Sequence, residues 1–150
     1  MNALKHGLLF SALLLLPFLP TGVLAQTTPA EDDRIRETLM NYLDGGTFGD
    51  TTRLNRAFHP SASMKLVDFT NGRFRDVPIA EYLNNAKKGA GKKADRTTRI
   101  VRYEYAGTAG QARVEIDYPT FRFIDFFNLL KIDGEWKIVS KITYRQEFAK

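Results

Sequence analysis

The stretch that most restricts the fold is Phe121–Tyr144, FRFIDFFNLLKIDGEWKIVSKITY. It reads as two long strands around an Asp133-Gly134 turn, with apolar residues on both faces. A sheet coated on both sides has to be covered on both sides, by helices, by another sheet or by a second subunit. Two charges, Asp125 and Lys141, stand among its aromatics. Such charges are costly inside a sheet unless paired or used, so the pattern points to a lined pocket without naming its occupant. A three-residue loop, Ile132-Asp133-Gly134, sets Lys131 opposite Glu135, Phe127 opposite Val139 and Asp125 opposite Lys141. A two-residue loop offsets the two charges to opposite faces. The chance to pair them favours the first register.

The first 25 residues are read separately. MNALKHGLLFSALLLLPFLPTGVLA has a basic start, an apolar run from Leu8 to Leu16, and a small-x-small ending at Val23-Leu24-Ala25. That is the pattern of a cleavable secretory signal, cut after Ala25, and it predicts a periplasmic or secreted protein. The unbroken apolar run is too short for a bilayer, and Pro17 and Pro20 break its continuation toward Ala25. Residues 26–150 then suffice for one compact domain. The signal carries one base, so the remainder is slightly less basic than the +5 of the whole chain, which does not call for nucleic acid. The chain has no cysteine. An exported domain without staples must be held by its core, and thiol catalysis, iron–sulfur clusters and cysteine zinc sites are excluded.

The rest punctuates itself. Thr28-Pro29-Ala30-Glu31 is a capping box with proline at the first helical position. Ile35, Leu39, Tyr42 and Leu43 form one apolar stripe, and Gly45-Gly46 is expected to end the helix. Asp50 can cap a second helix bearing Leu54 and Phe58 and stopped by Pro60. A hairpin around Thr70-Asn71-Gly72 comes next, then a helix opened by Pro78 with Ile79, Tyr82, Leu83 and Ala86 on one face. After KKGAGKK come strands over 97–105 and 111–118, and the long pair completes the chain.

That order, with YLDGGTFGD (42–50), AFHPSA (57–62), IAEYL (79–83) and DFFNLLKIDGEWKIVSK (125–141), resembles the nuclear transport factor 2-like superfamily, also called SnoaL-like. Within it the chain looks most like the Putative lumazine-binding family of small bacterial proteins. The resemblance implies an α+β fold, a cone-shaped curved mixed or antiparallel sheet wrapped around about three N-terminal helices. Superfamily members include steroid isomerases, dehydratases, polyketide cyclases and plain binding or assembly modules, so fold alone settles little about function. In the steroid isomerases a tyrosine spaced like Tyr42 before a Gly-Asp step, here Gly49-Asp50, donates to the oxyanion. Their catalytic aspartate would fall at Leu66, so steroid-type isomerisation is not implied. Asp68 shares that strand face and reads as a hairpin aspartate.

The remaining chemical inventory is short. His59 is the only histidine after the signal, so no histidine-rich metal site and no HExxH spacing exists, and no metal or cofactor is expected. GAGKK at Gly89–Lys93 is not a phosphate loop, because no Ser or Thr comes after the lysine and Ala86 stands where the first glycine belongs. His59 can be a base at the cone mouth or a structural histidine at a helix end. Asp125 and Lys141 can position a polar ligand, or can simply fix register or a dimer interface. The basic run from Lys87 to Arg102 lacks interleaved aromatics and reads as a solvated loop.

These readings predict an exported small-molecule-binding protein. Tyr42, His59, Phe123, Asp125, Phe127 and Lys141 would hold a partly apolar ligand. An alternative is a cofactor-independent lyase, isomerase or cyclase using Asp125 or His59 as acid or base. A further alternative is a ligand-free dimerisation module. A homodimer through one face of the C-terminal sheet is expected, with no nucleic-acid partner and, once the signal is cut, no membrane partner.

Overall fold

The computed structural model describes residues 29–149. The signal segment, its cleavage point and Thr28 of the capping box lie outside them. Helix α1 (Pro29–Phe48) and helix α2 (Thr51–Ala57) come first. Strands β1 (Phe58–Val67) and β2 (Phe74–Pro78), helix α3 (Ile79–Ala86), and strands β3 (Thr97–Ala106), β4 (Ala109–Asp117), β5 (Phe121–Ile132) and β6 (Glu135–Glu147) complete the order. The six strands make one curved, unclosed sheet in the order β2-β1-β6-β5-β4-β3. Only β1 and β6 run parallel; every other neighbouring pair is antiparallel. The α+β cone expected from the resemblance is therefore the fold observed.

The helices fill the inner face of the sheet. Ile35, Leu39 and Leu43 of α1 are fully buried against Leu54, Ile79, Val114, Ile116, Leu129 and Ile138. Burying each such aliphatic side chain stabilises the fold by about 1.5–3 kcal/mol. The helix is pinned at its start by Glu31, whose carboxylate accepts from Trp136 Nε1 (2.8 Å) and Lys131 Nζ (2.6 Å). Thr38 adds a hydrogen bond to the Trp136 carbonyl oxygen at 2.9 Å.

Gly45-Gly46 does not end α1, contrary to the sequence expectation. The helix runs on to Phe48, and the two glycines make room instead. A Cβ on Gly45 would stand 2.9 Å from Leu54 Cγ, and one on Gly46 would stand 2.3 Å from the Arg96 guanidinium. Gly49, at φ 66°, is the true terminator. Asp50 then caps α2, accepting from the Arg53 amide at 3.0 Å. Phe58 falls in β1 rather than in α2.

The β5–β6 hairpin turns on two residues, not three. Asp133 and Gly134 both have positive φ, 51° and 83°, and Ile132 pairs with Glu135, which is the primed turn that suits strand twist. Left alone, that register would send Asp125 and Lys141 to opposite faces. A bulge corrects it. Leu129 pairs with Ile138 but Asn128 pairs with Ser140, so Val139 is an extra residue in β6. Beyond it Phe127 faces Lys141 and Asp125 faces Thr143. A second bulge in β3, between Ile100 and Arg102, and an irregular stretch of β1 between Phe58 and Ser63 also bend the sheet.

Candidate functional site

α1 and the two central strands bring Tyr42, Asp125 and Lys141 together inside the cone. Tyr42 lies on the buried stripe of α1, Asp125 on the inner face of β5, and Lys141 on the inner face of β6 after the bulge. The Tyr42 hydroxyl donates to Asp125 Oδ2 at 2.6 Å. Lys141 Nζ donates to the Tyr42 hydroxyl at 2.7 Å and to Asp125 Oδ2 at 3.0 Å. Exposure is 3% for Tyr42, 0% for Asp125 and 6% for Lys141, so this is a buried charge cluster and not a surface ion pair.

The walls are aromatic. Lys141 Nζ stands 4.9 Å from the ring centroid of Tyr42 and 5.3 Å from that of Tyr82 on α3. Such rings favour a cation where water is scarce. Tyr42 meets Phe58 and Phe127 edge-on, at 5.7 and 5.1 Å between centroids. Burial, the neighbouring Asp125 charge and Tyr82 hold the Tyr42 phenol well above its ordinary value, so it remains a donor across the physiological range.

Two side-chain oxygens of this region make no hydrogen bond with the protein: Asp125 Oδ1 and, on the residue directly opposite, Thr143 Oγ1. Oδ2 accepts both donors, whereas Oδ1 accepts none. Leaving a buried carboxylate oxygen without a donor costs about 1–3 kcal/mol or more, and such groups call for a specific explanation.

Burial falls away along β5 and β6 in one direction. Asp125 and Lys141 are buried, Thr143, Phe123, Arg145 and Phe121 are half-buried, and Glu147 is exposed. The approach on the Phe123 side is lined by rings: Phe123 lies 5.7 Å from Phe69, 6.0 Å from Tyr118 and 5.2 Å from Phe121. Arg145 stacks on Phe121 at 3.8 Å.

Of the residues that the sequence marks, Tyr42, Asp125, Phe127 and Lys141 are assembled directly, and Phe123 sits two residues along the same face. His59 does not hydrogen-bond to this cluster. Its Nδ1 is 2.7 Å from Ser61 Oγ and accepts from the Ser61 amide at 3.2 Å, within the irregular part of β1. Asp68 is a turn residue, accepting from the Thr70 amide and hydroxyl, which lower its pKa. The lysines of KKGAGKK are exposed, but their backbone is docked on the end of α1 through Gly91 N to Gly49 O (3.1 Å) and Ala94 N to Thr47 O (2.7 Å). Arg96 is no solvated charge: it bonds Thr47, Tyr118 and the Leu43 carbonyl at 2.9–3.0 Å.

Thr143 and Tyr82 are site residues that the sequence does not mark. Tyr82 reads there as part of an amphipathic stripe, and the partnership of Asp125 with Thr143 depends on a bulge that no local signal announces.

The outer face of the sheet is differently furnished. Phe126, Leu130, Ile142 and Tyr144 are exposed there. Beside them Glu115, 4% exposed, is ion-paired with Arg99, Arg113 and Arg122. A cavity of about 410 Å³ on this face is lined by Arg102, Gln111, Arg113, Phe126, Asn128 and Ile142, among others.

Comparison with known proteins agrees with the fold. Residues 30–144 match the family described as Putative lumazine-binding. The curated protein Aldolase FrzH from Cladobotryum sp is 30% identical over 125 residues, covering 77% of this chain and 91% of that protein. A nuclear transport factor 2-like protein of unknown function from Shewanella baltica OS155 is 33% identical, covers 81% of this chain and 98% of its own, and superposes with a TM-score of 0.71. A similar protein from Methylobacillus flagellatus KT is 28% identical, with 83% and 98% covered and a TM-score of 0.71. This chain belongs to the Putative lumazine-binding family of the nuclear transport factor 2-like superfamily.

Proposed function

We propose that this protein is an exported small-molecule-binding member of its family, released after Ala25, that holds a partly apolar ligand inside the cone. The ligand's polar end meets Asp125 and Thr143, and its apolar body lies along Phe127 and Phe123. The observation that carries this reading is the pair of unbonded oxygens, Asp125 Oδ1 and Thr143 Oγ1, on facing residues beside a fully bonded Oδ2. A ligand N–H or O–H placed there supplies the donor that the protein does not. Export rests on the sequence of the first 25 residues. Native mass spectrometry of protein purified from the medium or periplasm tests both points. The expected result is a chain beginning at Gln26 with a bound small molecule that Asp125→Asn no longer retains.

A second reading, carbon–carbon bond chemistry, is favoured by the relative named as an aldolase. Here Asp125 is the acid or base beside a buried amine, and turnover of an added carbonyl compound is its assay. In either reading two copies pair through the outer sheet face, where Phe126, Leu130, Ile142 and Tyr144 would otherwise stay in water.

A further inference from the structure

We infer that Lys141 is an amine nucleophile, and that the ligand of the inner site is a carbonyl compound, an aldehyde or ketone with an apolar body, held as an iminium ion on Lys141. The inference rests on the binding reading above, since the ligand must first reach the cluster past Phe123.

Four features point to Nζ. Lys141 is the only buried lysine among the described residues. Two of its three N–H groups are spent on Tyr42 and Asp125 Oδ2, and the third has no oxygen partner. Rings of Tyr42 and Tyr82 flank the amine, a setting that excludes water and so favours a C=N bond over hydrolysis. Finally, the unbonded Oδ1 of Asp125 offers a place for the proton that the ammonium must lose before it can attack.

The step balances within the cluster. Lys141 Nζ passes one proton to Asp125, and the freed lone pair forms a C–N bond to the carbonyl carbon. The C=O π pair moves to oxygen, which takes a second proton from the former ammonium, giving a carbinolamine. The Asp125 carboxyl then protonates that hydroxyl, the C–O bond breaks, and water leaves as the nitrogen lone pair closes C=N. Of the three ammonium protons, two leave in water and one stays on nitrogen. The iminium carries the same positive charge as the ammonium it replaces, so Asp125, neutral at the carbinolamine, ends as it began, a carboxylate paired with a cation. Tyr42, kept protonated, acts as a positioning residue that holds Oδ2 and Nζ in place.

The test is reductive trapping of the mature protein with dilute benzaldehyde and cyanoborohydride, with the labelled sites located by peptide mapping. Lys141 is expected to be benzylated at least tenfold faster than the exposed Lys88, and saturably, with the ligand-retaining protein protected. Asp125→Asn should slow labelling of Lys141 at least tenfold while leaving Lys88 unchanged. Should that variant fail to fold, Thr143→Val, which leaves the charge cluster intact, should remove saturation while labelling persists. Labelling of Lys88 with none on Lys141 overturns the inference. If a ligand is still retained in that case, the binding reading stands and only the covalent step falls. If nothing is retained or trapped, both fall.

Discussion

Lys141 lies across the ladder from Phe127, one step removed from the Thr143 that faces Asp125, and reaches diagonally to place Nζ 3.0 Å from Asp125 Oδ2. The contact exists because Val139 is bulged, which turns the strand by one residue between Ile138 and Ser140. On one side of the bulge Trp136 and Ile138 face inward; on the other Lys141 does. The bulge is thus what allows one strand to supply both the core and the site.

Deleting Val139 should therefore regularise the ladder without moving the site, since Ile138 would still face Leu129, Ser140 would face Asn128 and Lys141 would face Phe127. Lys141→Met, by contrast, should leave Asp125 buried without its cation, at a cost of about 3–5 kcal/mol. Urea unfolding of the two variants measures the difference, and equal losses would contradict the assignment.

Alkaline stability provides a second prediction. Burial raises the Tyr42 pKa in the folded protein above its value in the unfolded chain, near 10.0. Its contribution is then complete below about pH 10 and is lost as pH rises toward the folded value, at about 1.4 kcal/mol per pH unit. Tyr42→Phe should flatten that decline above pH 10 in a pH series of thermal melts. Equal slopes for both proteins would refute the assignment.

The end of α1 can be probed at Gly49. Its φ is 66°, and a Cβ there would stand 2.3 Å from the Gly89 carbonyl oxygen. Gly72 has nearly the same φ, 70°, with nothing within 4 Å of the added carbon. Gly72→Ala should cost only the backbone term of about 1 kcal/mol, and Gly49→Ala distinctly more. Comparable losses in differential scanning calorimetry would mean that the 89–92 loop yields freely.

Much of the fold and half of the site are legible in the sequence, for identifiable reasons. The α1 stripe of Ile35, Leu39, Tyr42 and Leu43 is buried as its spacing requires, because period and packing agree there. Asp125 and Lys141 stand out because charge is rare among so many aromatics, and they do meet. Their register differs from the sequence expectation: the turn is two residues long, and the bulge restores the shared face. A bulge leaves no composition signal, so Thr143 cannot be chosen in advance. Gly45-Gly46 reads as a helix stop by propensity, yet tertiary approach by Leu54 and Arg96 explains it better. Arg96 is hidden in a basic run whose lysines are solvated.

The outer face supplies a prediction about assembly. Ile142 and Tyr144, at 51% and 60% exposure, are the most open apolar residues of β6. Light scattering at micromolar concentration should give twice the chain mass, and Ile142→Glu with Tyr144→Glu should give a monomer with the inner ligand still bound. A wild-type monomer would leave that face without its proposed partner.

The central claim is that Tyr42, Asp125 and Lys141 are kept together for a ligand and not for stability. Replacing a whole buried ionic cluster with apolar residues of similar size is often neutral or stabilising, whereas removing one member is not. Asp125→Ala alone should cost about 3–5 kcal/mol, and the triple variant Tyr42→Phe, Asp125→Leu, Lys141→Met distinctly less. The decisive measurement is native mass spectrometry of that folded triple variant beside the wild type, both purified from the same cells. The account predicts a small molecule on the wild type and none on the triple variant. The same molecule retained by both would contradict it.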